Sequence, residues 1–248
     1  MILSLYKPAG WTPLQAMEHH RARTPALAGE PMVYAGRLDP MAEGLLLVLT
    51  GADRFDLPAH LKHEKQYIAS ILFGVESDTH DALGRLRAHE GAPPSVATCT
   101  AAVAALRGTH SLPLPAWSAF RVGGRPLHAW ARDGRLDEIA VPDREMVVTA
   151  VDGVVAREVR PTALLEDVVN RITQVRGDFR QAQAVEDWKR LAAGDRMLAQ
   201  VTATLDVTSG TYVRALAHAL GTQLGCGGLL FALRRTRVGP YSAAELTG

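Results

Sequence analysis

The chain has 248 residues, 47% of them hydrophobic and 21% charged, an ordinary composition for one soluble domain with a sizeable core. A formal net charge of +1 argues against a non-specific polyanion binder while leaving room for a local basic face. No apolar run reaches the roughly 18 residues of a membrane span, Lys7 and Pro8 interrupt the start too early for a signal sequence, and Cys99 and Cys226 lack disulfide-framework or zinc spacing, so a cytoplasmic protein is expected.

Thr12-Pro13 reads as an N-cap followed by a proline at the first helical position, opening an amphipathic helix that ends before Pro25. Residues 45–49 form a short apolar, strand-like run stopped by Gly51, and "QYIASILF" at 66–73 alternates as a strand closed by Gly74. Pro93-Pro94-Ser95 is expected to cap a helix over about 96–107, with Gly108 stopping it. The segment 111–142, rich in proline, tryptophan and arginine with a Gly-Gly turn, reads as a mobile binding element rather than packed core. Helical patterns follow at 163–175 and 185–193, then a strand in "AQVTATLDVTSG", a helix in "TYVRALAHALGTQLG" and a strand around "LRRTRVGPYS". Without internal repeats or a linker, the simplest architecture is one α+β domain with a mostly antiparallel sheet.

Candidate chemistry centres on Asp39 in "YAGRLDPMAEGLLLVLTG". An Asp before proline commonly opens a turn. Here, however, Gly36 and Gly44 permit close approach, and the apolar strand beyond forms a rigid, low-dielectric platform, where a carboxylate needs a cationic partner. Arg214 sits near the start of an apolar helix, where a guanidinium is more often paired than idle, whereas Arg234, Arg235 and Arg237 read equally well as solvated charges or as partners. Tyr67 on its strand is either core or a stacking face with a hydroxyl. Asp78, His80 and Asp81 in "ESDTHDALG" suggest an acidic loop in preference to a metal site.

Six blocks in this order resemble the TruB family, the tRNA pseudouridine-55 synthases: "LYKPAGWTP", "GRLDPMAEGLLLVLTG", "KQYIASILFGVESDTHDALG", "PAWSAFRVGGRPLHAWARDG", "SGTYVRALAHALGTQLGCGG" and "LRRTRVGPYS". They cover roughly 150 to 200 residues. The resemblance implies a pseudouridine synthase fold, α+β with a central mixed, mostly antiparallel sheet flanked by helices and loops. It assigns Asp39 as the catalytic aspartate, Tyr67 as the tyrosine against the target base and Arg214 as the arginine paired with the aspartate. Leu38, Tyr212 and Leu233 are expected to line the pocket. RNA contacts are expected from Lys7 of the K-P-x-G block, Tyr34, Arg37, Arg234 and Arg235, and from Arg121, Arg125 and Arg132 of a thumb loop at about 111–142.

The implied reaction converts a uridine in the tRNA T-arm stem-loop to pseudouridine by base flipping, with no cofactor or metal, in a monomeric enzyme. An arginine neighbour favours the ionised carboxylate such a reaction needs. The chain departs from the family pattern at Val33-Tyr34, where Gly-His is usual, and with Arg121 and His128 in the thumb where lysine and tyrosine are common. Residues 153–197 are longer than the family spacing and read as a helical insertion extending the RNA surface; with the sequence ending at Gly248, no PUA domain is expected. Alternatives are an RNA chaperone with dispensable chemistry, a pseudouridine synthase for another structured RNA, and a glycosidic hydrolase with Asp53 or Asp56 as second acid.

Overall fold

The structure is a computed structural model and describes residues 1–89 and 94–243. The first third of the chain carries β1 (Ile2–Lys7), α1 (Pro13–Arg23), β2 (Met32–Ala35), β3 (Ala42–Thr50), α2 (Leu57–Leu61), β4 (Lys65–Phe73), and the hairpin of β5 (Val75–Ser77) and β6 (Leu86–Ala88). The middle holds α3 (Val96–Ala104), β7 (Gly108–Pro113), the small hairpin of β8 (Arg121–Val122) and β9 (Arg125–Pro126), α4 (Leu127–Arg132) and β10 (Asp143–Val159). Then come α5 (Pro161–Gln174), α6 (Gln181–Ala192), β11 (Leu198–Val207), α7 (Val213–Gln223), β12 (Gly228–Val238) and β13 (Tyr241–Ser242). Among the described residues no helix is long and apolar enough to cross a membrane.

One sheet organises these elements, with strand order β1-β3-β12-β4-β11-β10-β7 and β2 and β13 pairing at β3 and β12. All its pairings are antiparallel except β3 with β12, so the sheet is mixed and mostly antiparallel, as expected. The parallel contact brings the backbones unusually close. Gly44 has φ +103°, and a Cβ there would lie 2.3 Å from the Arg235 carbonyl oxygen, so only glycine fits.

Helices cover both faces. On one, α3 and α7 bury Cys99, Val103, Leu216 and Leu220 against Tyr67, Ala69, Val201 and Leu205. On the other, α5 and α6 bury Leu164, Val168, Ile172 and Trp188 against Leu72, Leu198, Leu229 and Phe231. β3 is covered on both sides, by α1 over Leu46 and Val48 and by a second cluster around Leu45, Leu47 and Val238, which is why its sequence is a continuous apolar run.

Local signals explain several boundaries. Thr12 accepts from the Gln15 amide and the Gln15 side chain accepts from the Thr12 amide, a reciprocal capping box for α1. Ser95 accepts from the Thr98 amide at 3.1 Å to start α3; Pro93 of the expected cap lies outside the described residues. α3 ends at Ala104, short of Arg107, because Gly108 already begins β7.

Two expectations are corrected. Residues 153–159 are not helical but the second half of β10, paired to β11 beyond a register shift between Asp152 and Val155 that spans Gly153, whose φ is +59°. The following helices contribute a core cluster of their own and are not merely an added surface. Segment 111–142, expected to lie outside the packed core, has defined structure and a buried anchor: it starts within β7 and then folds into the β8–β9 hairpin and α4, with Leu127 buried and the Leu127 and His128 amides donating to the Phe120 and Ser118 carbonyls.

Candidate active site

Asp39 lies in the connection from β2 to β3, where Gly36 takes φ +86° and the Ala42 amide donates to the Asp39 carbonyl at 3.0 Å. The turn expected before Pro40 is therefore present, and it presents the carboxylate at the head of the buried strand β3. Its partner comes from 175 residues away. Arg214, in the first turn of α7, donates from Nε to Asp39 Oδ2 at 2.7 Å and from Nη2 to Oδ1 at 3.4 Å. α7 is held tightly against β12: a Cβ on Gly221 would lie 1.9 Å from the Gly228 nitrogen, so helix and strand touch backbone to backbone.

The Arg214 side chain is only 5% exposed and makes one further bond, from Nη1 to the Thr79 carbonyl at 2.6 Å. A second carboxylate, Asp81, approaches its Nε at 3.7 Å, too far for a hydrogen bond. Asp81 is buried, and its Oδ1 accepts from the Thr79 hydroxyl at 2.6 Å and the Leu83 amide at 3.0 Å. Burial raises the Asp81 carboxyl above its ordinary range despite Arg214. Burial alone would lower Arg214, but Asp39 and Asp81 outweigh it and hold the guanidinium more firmly protonated. The cation thus gives two hydrogen bonds to Asp39 and one to the Thr79 carbonyl, while Asp81 adds a second negative charge 3.7 Å from its Nε.

This pair opens onto a cleft of about 1060 Å³. Tyr67, Leu38, Leu233 and Tyr212 line it with Tyr34 and Arg37, and the thumb segment contributes Trp117, Phe120, His128 and Arg132. Tyr67 is buried and shares a sheet face with Arg235 and Leu205 through strand register. The floor is apolar and aromatic, and the rim carries arginines.

Several residues expected to contact RNA are placed otherwise. Lys7 is fully buried, and its Nζ donates to the carbonyls of Pro8 (2.9 Å), Trp11 (2.6 Å) and Pro40 (3.3 Å), which fastens the loop that follows Asp39. Burial pulls Lys7 down to about 7, with Asp39 opposing the shift. Arg235 borders the cleft but is equally buried, donating to the Leu45 carbonyl at 2.8 Å and the Gly36 carbonyl at 3.1 Å. Arg234 alternates to the opposite sheet face, opposite Ile68 and Glu43, and Arg237 pairs with Asp206 at 2.5 Å. Arg121 donates to the Gly124 carbonyl and Arg125 to Asp133 and the Ala129 carbonyl, and neither lines the cleft, whereas Arg132 does. Asp53 pairs with the N-terminal ammonium at 2.5 Å, and neither it nor Asp56 lines the cleft.

Asp78, His80 and Asp81 do not converge on a common point. Asp78 binds Arg180, His80 stacks on His218 with ring centroids 3.9 Å apart, and Asp81 faces Arg214. Sequence reasoning missed Asp81 and Thr79 as supports of the arginine, although the alternation of hydroxyl and carboxylate groups in "ESDTHD" was the available signal. It also passed over Lys65, buried near Arg235, which burial lowers to about 8.

The family model for the TruB family pseudouridylate synthase N-terminal domain matches residues 27–175, and that for the tRNA pseudouridylate synthase B C-terminal domain matches residues 214–247. The tRNA pseudouridine synthase B of Thermobifida fusca (strain YX) is 36% identical over 242 residues, covering 96% of this chain and 69% of that protein. The one from Leifsonia xyli subsp. xyli (strain CTCB07) is 33% identical over 245 residues, covering 97% and 67%. Among solved structures, a Cbf5-Nop10-Gar1 complex matches with a TM-score of 0.57 at 20% identity, and an H/ACA RNP bound to a substrate RNA containing 2'-deoxyuridine matches with 0.55 at 19%. Each alignment covers 97% of this chain but 49% and 48% of the solved chain, so the chain spans about half the length of those structures. The chain shares its fold with those solved structures, and the family model and the curated relatives put it among the pseudouridine synthases, a class of isomerases. Within that class, the chain belongs to the TruB family.

Proposed function

We propose that this protein isomerises a uridine in the T-arm loop of tRNA, position 55, to pseudouridine. The observation that carries the reading is the Asp39–Arg214 ion pair at 2.7 Å, opening onto a cleft that Tyr67 also lines. The reaction breaks the C1′–N1 bond and forms C1′–C5; N1 gains a proton and C5 loses one, so neither oxidant nor co-substrate is needed. Asp39 serves as the carboxylate that attacks the nucleoside or removes a proton from it. Arg214 orients that carboxylate. The detached uracil has to turn without escaping, and the apolar walls formed by Leu38, Leu233 and the Tyr67 ring suit such a trap. Entry requires flipping the uridine from its loop at a cost of about a few kcal/mol.

Incubating wild type and Asp39→Asn with a tRNA transcript and mapping pseudouridine at single-nucleotide resolution tests this. Modification of one T-loop uridine by the wild type alone is the expected result. Free uracil would instead indicate a hydrolase, modification elsewhere another RNA target, and refolding of tRNA without modification a chaperone.

A further inference from the structure

The connection between α5 and α6 takes no part in the chemistry above, yet Arg176, Phe179 and Arg180 line the same cleft as Asp39. It is built rigidly. The Gln181 side-chain Nε2 donates to the Val175 and Gly177 carbonyls at 2.9 and 2.7 Å, and its Oε1 accepts from the Phe179 backbone amide at 3.0 Å. Arg180 adopts φ +60°, a conformation that disfavours any residue with a Cβ. Its side chain holds it there, donating to both Asp78 oxygens at 2.6 and 3.2 Å and lying 3.9 Å over the Trp117 ring. Asp78 is itself fixed by the Arg85 amide at 2.8 Å, while the Arg180 Nε is buried without a partner. One guanidinium therefore joins three segments at the cleft: the α5–α6 connection, the turn that carries Asp81, and the thumb.

Beside this joint, Arg176 is exposed and Phe179 keeps 36% of its surface exposed. An arginine and an aromatic ring on a pre-formed wall, continuous with a pocket for a flipped base, match unpaired nucleotides: rings stack on bases of any sequence and guanidinium groups meet phosphates. A duplex offers phosphates but buries its base faces. Arginine and lysine side chains also outnumber carboxylates around the cleft, in a chain whose overall charge is only +1.

We infer that the α5–α6 connection is a second RNA subsite, in which Phe179 stacks on, and Arg176 neutralises, unpaired nucleotides flanking the uridine held over Asp39. This rests on the reading that the cleft accepts RNA. The test measures binding without turnover, by fluorescence anisotropy of the full chain with a labelled T-arm stem-loop and with a loopless duplex of the same stem. Phe179→Ala is expected to weaken stem-loop binding about tenfold, consistent with loss of one stacked base, with an unchanged salt slope and no change on the duplex. Arg176→Ala is expected to reduce the salt slope by roughly 0.7, and Arg176→Lys to restore it. Stem-loop affinities within twofold of wild type for both alanine variants would overturn the inference, as would equal losses on stem-loop and duplex, or no stem-loop binding by the wild type. Failure of the wild type to form pseudouridine while it binds RNA would refute the proposed function yet leave this comparison readable.

Discussion

The molecule buries two arginines at the edge of one cleft, and their surroundings are opposite. Arg214 meets two carboxylates and one carbonyl, whereas Arg235 meets only carbonyls, those of Leu45 and Gly36, with Lys7 and Lys65 as further buried cations close by. Nε and Nη2 of Arg235 find acceptors while its Nη1 is buried without one, so this guanidinium is less fully satisfied than that of Arg214. The consequences differ. The Arg214 wall holds a directed carboxylate that faces the open cleft, while the Arg235 wall ties β12 to the loop before Asp39 and to β3. On the proposed function the first serves the chemistry, and the second fastens the fold around it.

The largest expected effect separates them at once. Asp39→Asn should lower the rate of pseudouridine formation by about 10³-fold or more, measured in single turnover, because the amide is neither base nor nucleophile. Its melting temperature should stay near that of the wild type, since Asp39 is partly exposed and an amide can still accept from Arg214. Arg214→Met should follow, costing about 10²-fold in rate together with roughly 3–5 kcal/mol in urea denaturation, because it leaves the buried Asp81 facing no cation. If Arg214→Met proved as stable as wild type, the role of Asp81 as a second buried charge beside Arg214 would be wrong.

Arg235→Met sharpens the contrast from the other side. Loss of its bonds to the Leu45 and Gly36 carbonyls should cost about 1–3 kcal/mol of stability. Its effect on rate should be well below that of Arg214→Met, because Arg235 donates to neither Asp39 nor Asp81. A rate loss matching that of Arg214→Met, without loss of stability, would erase the distinction between the two walls.

Much of this was legible in the sequence because local chemistry and pattern agreed. The Thr12 cap, the apolar run of β3 and the apolar face of α7 preserve local signals, whereas β4 alternates only over its first residues and is buried on both faces from Ala69 to Phe73. The pair of Asp39 with Arg214 was legible only through the resemblance, since no local rule links residues 175 positions apart. β10 escaped because Asp152-Gly153 breaks its alternation with a turn-like irregularity that reads as a boundary. The burial of Lys7 and Arg235 escaped for a different reason. A cation satisfied by backbone carbonyls leaves no acidic partner in the sequence, so it looks the same as a surface charge. Arg234 and Arg235 are neighbours in sequence and lie on opposite faces of a strand, which only the register decides.

The smallest effect concerns what the Arg214 wall excludes. His80 stacks on His218 at 3.9 Å with rings 4° from parallel, and both rings lie close to this wall. Burial, then His218, then Arg214 pull His80 down to about 3, and burial likewise lowers His218 while Glu76 opposes it. The native state therefore resists taking up protons that the unfolded chain accepts below the ordinary histidine value near 6.5. Stability from this source is fully present above about 6.5 and is lost as pH falls toward 3. His218→Phe keeps a ring against His80 but removes one titrating partner, so its melting temperature should fall less than that of the wild type between pH 6.5 and 5, while the two stay close at pH 8. Parallel pH profiles for the two proteins would show that His218 contributes shape alone to the stack.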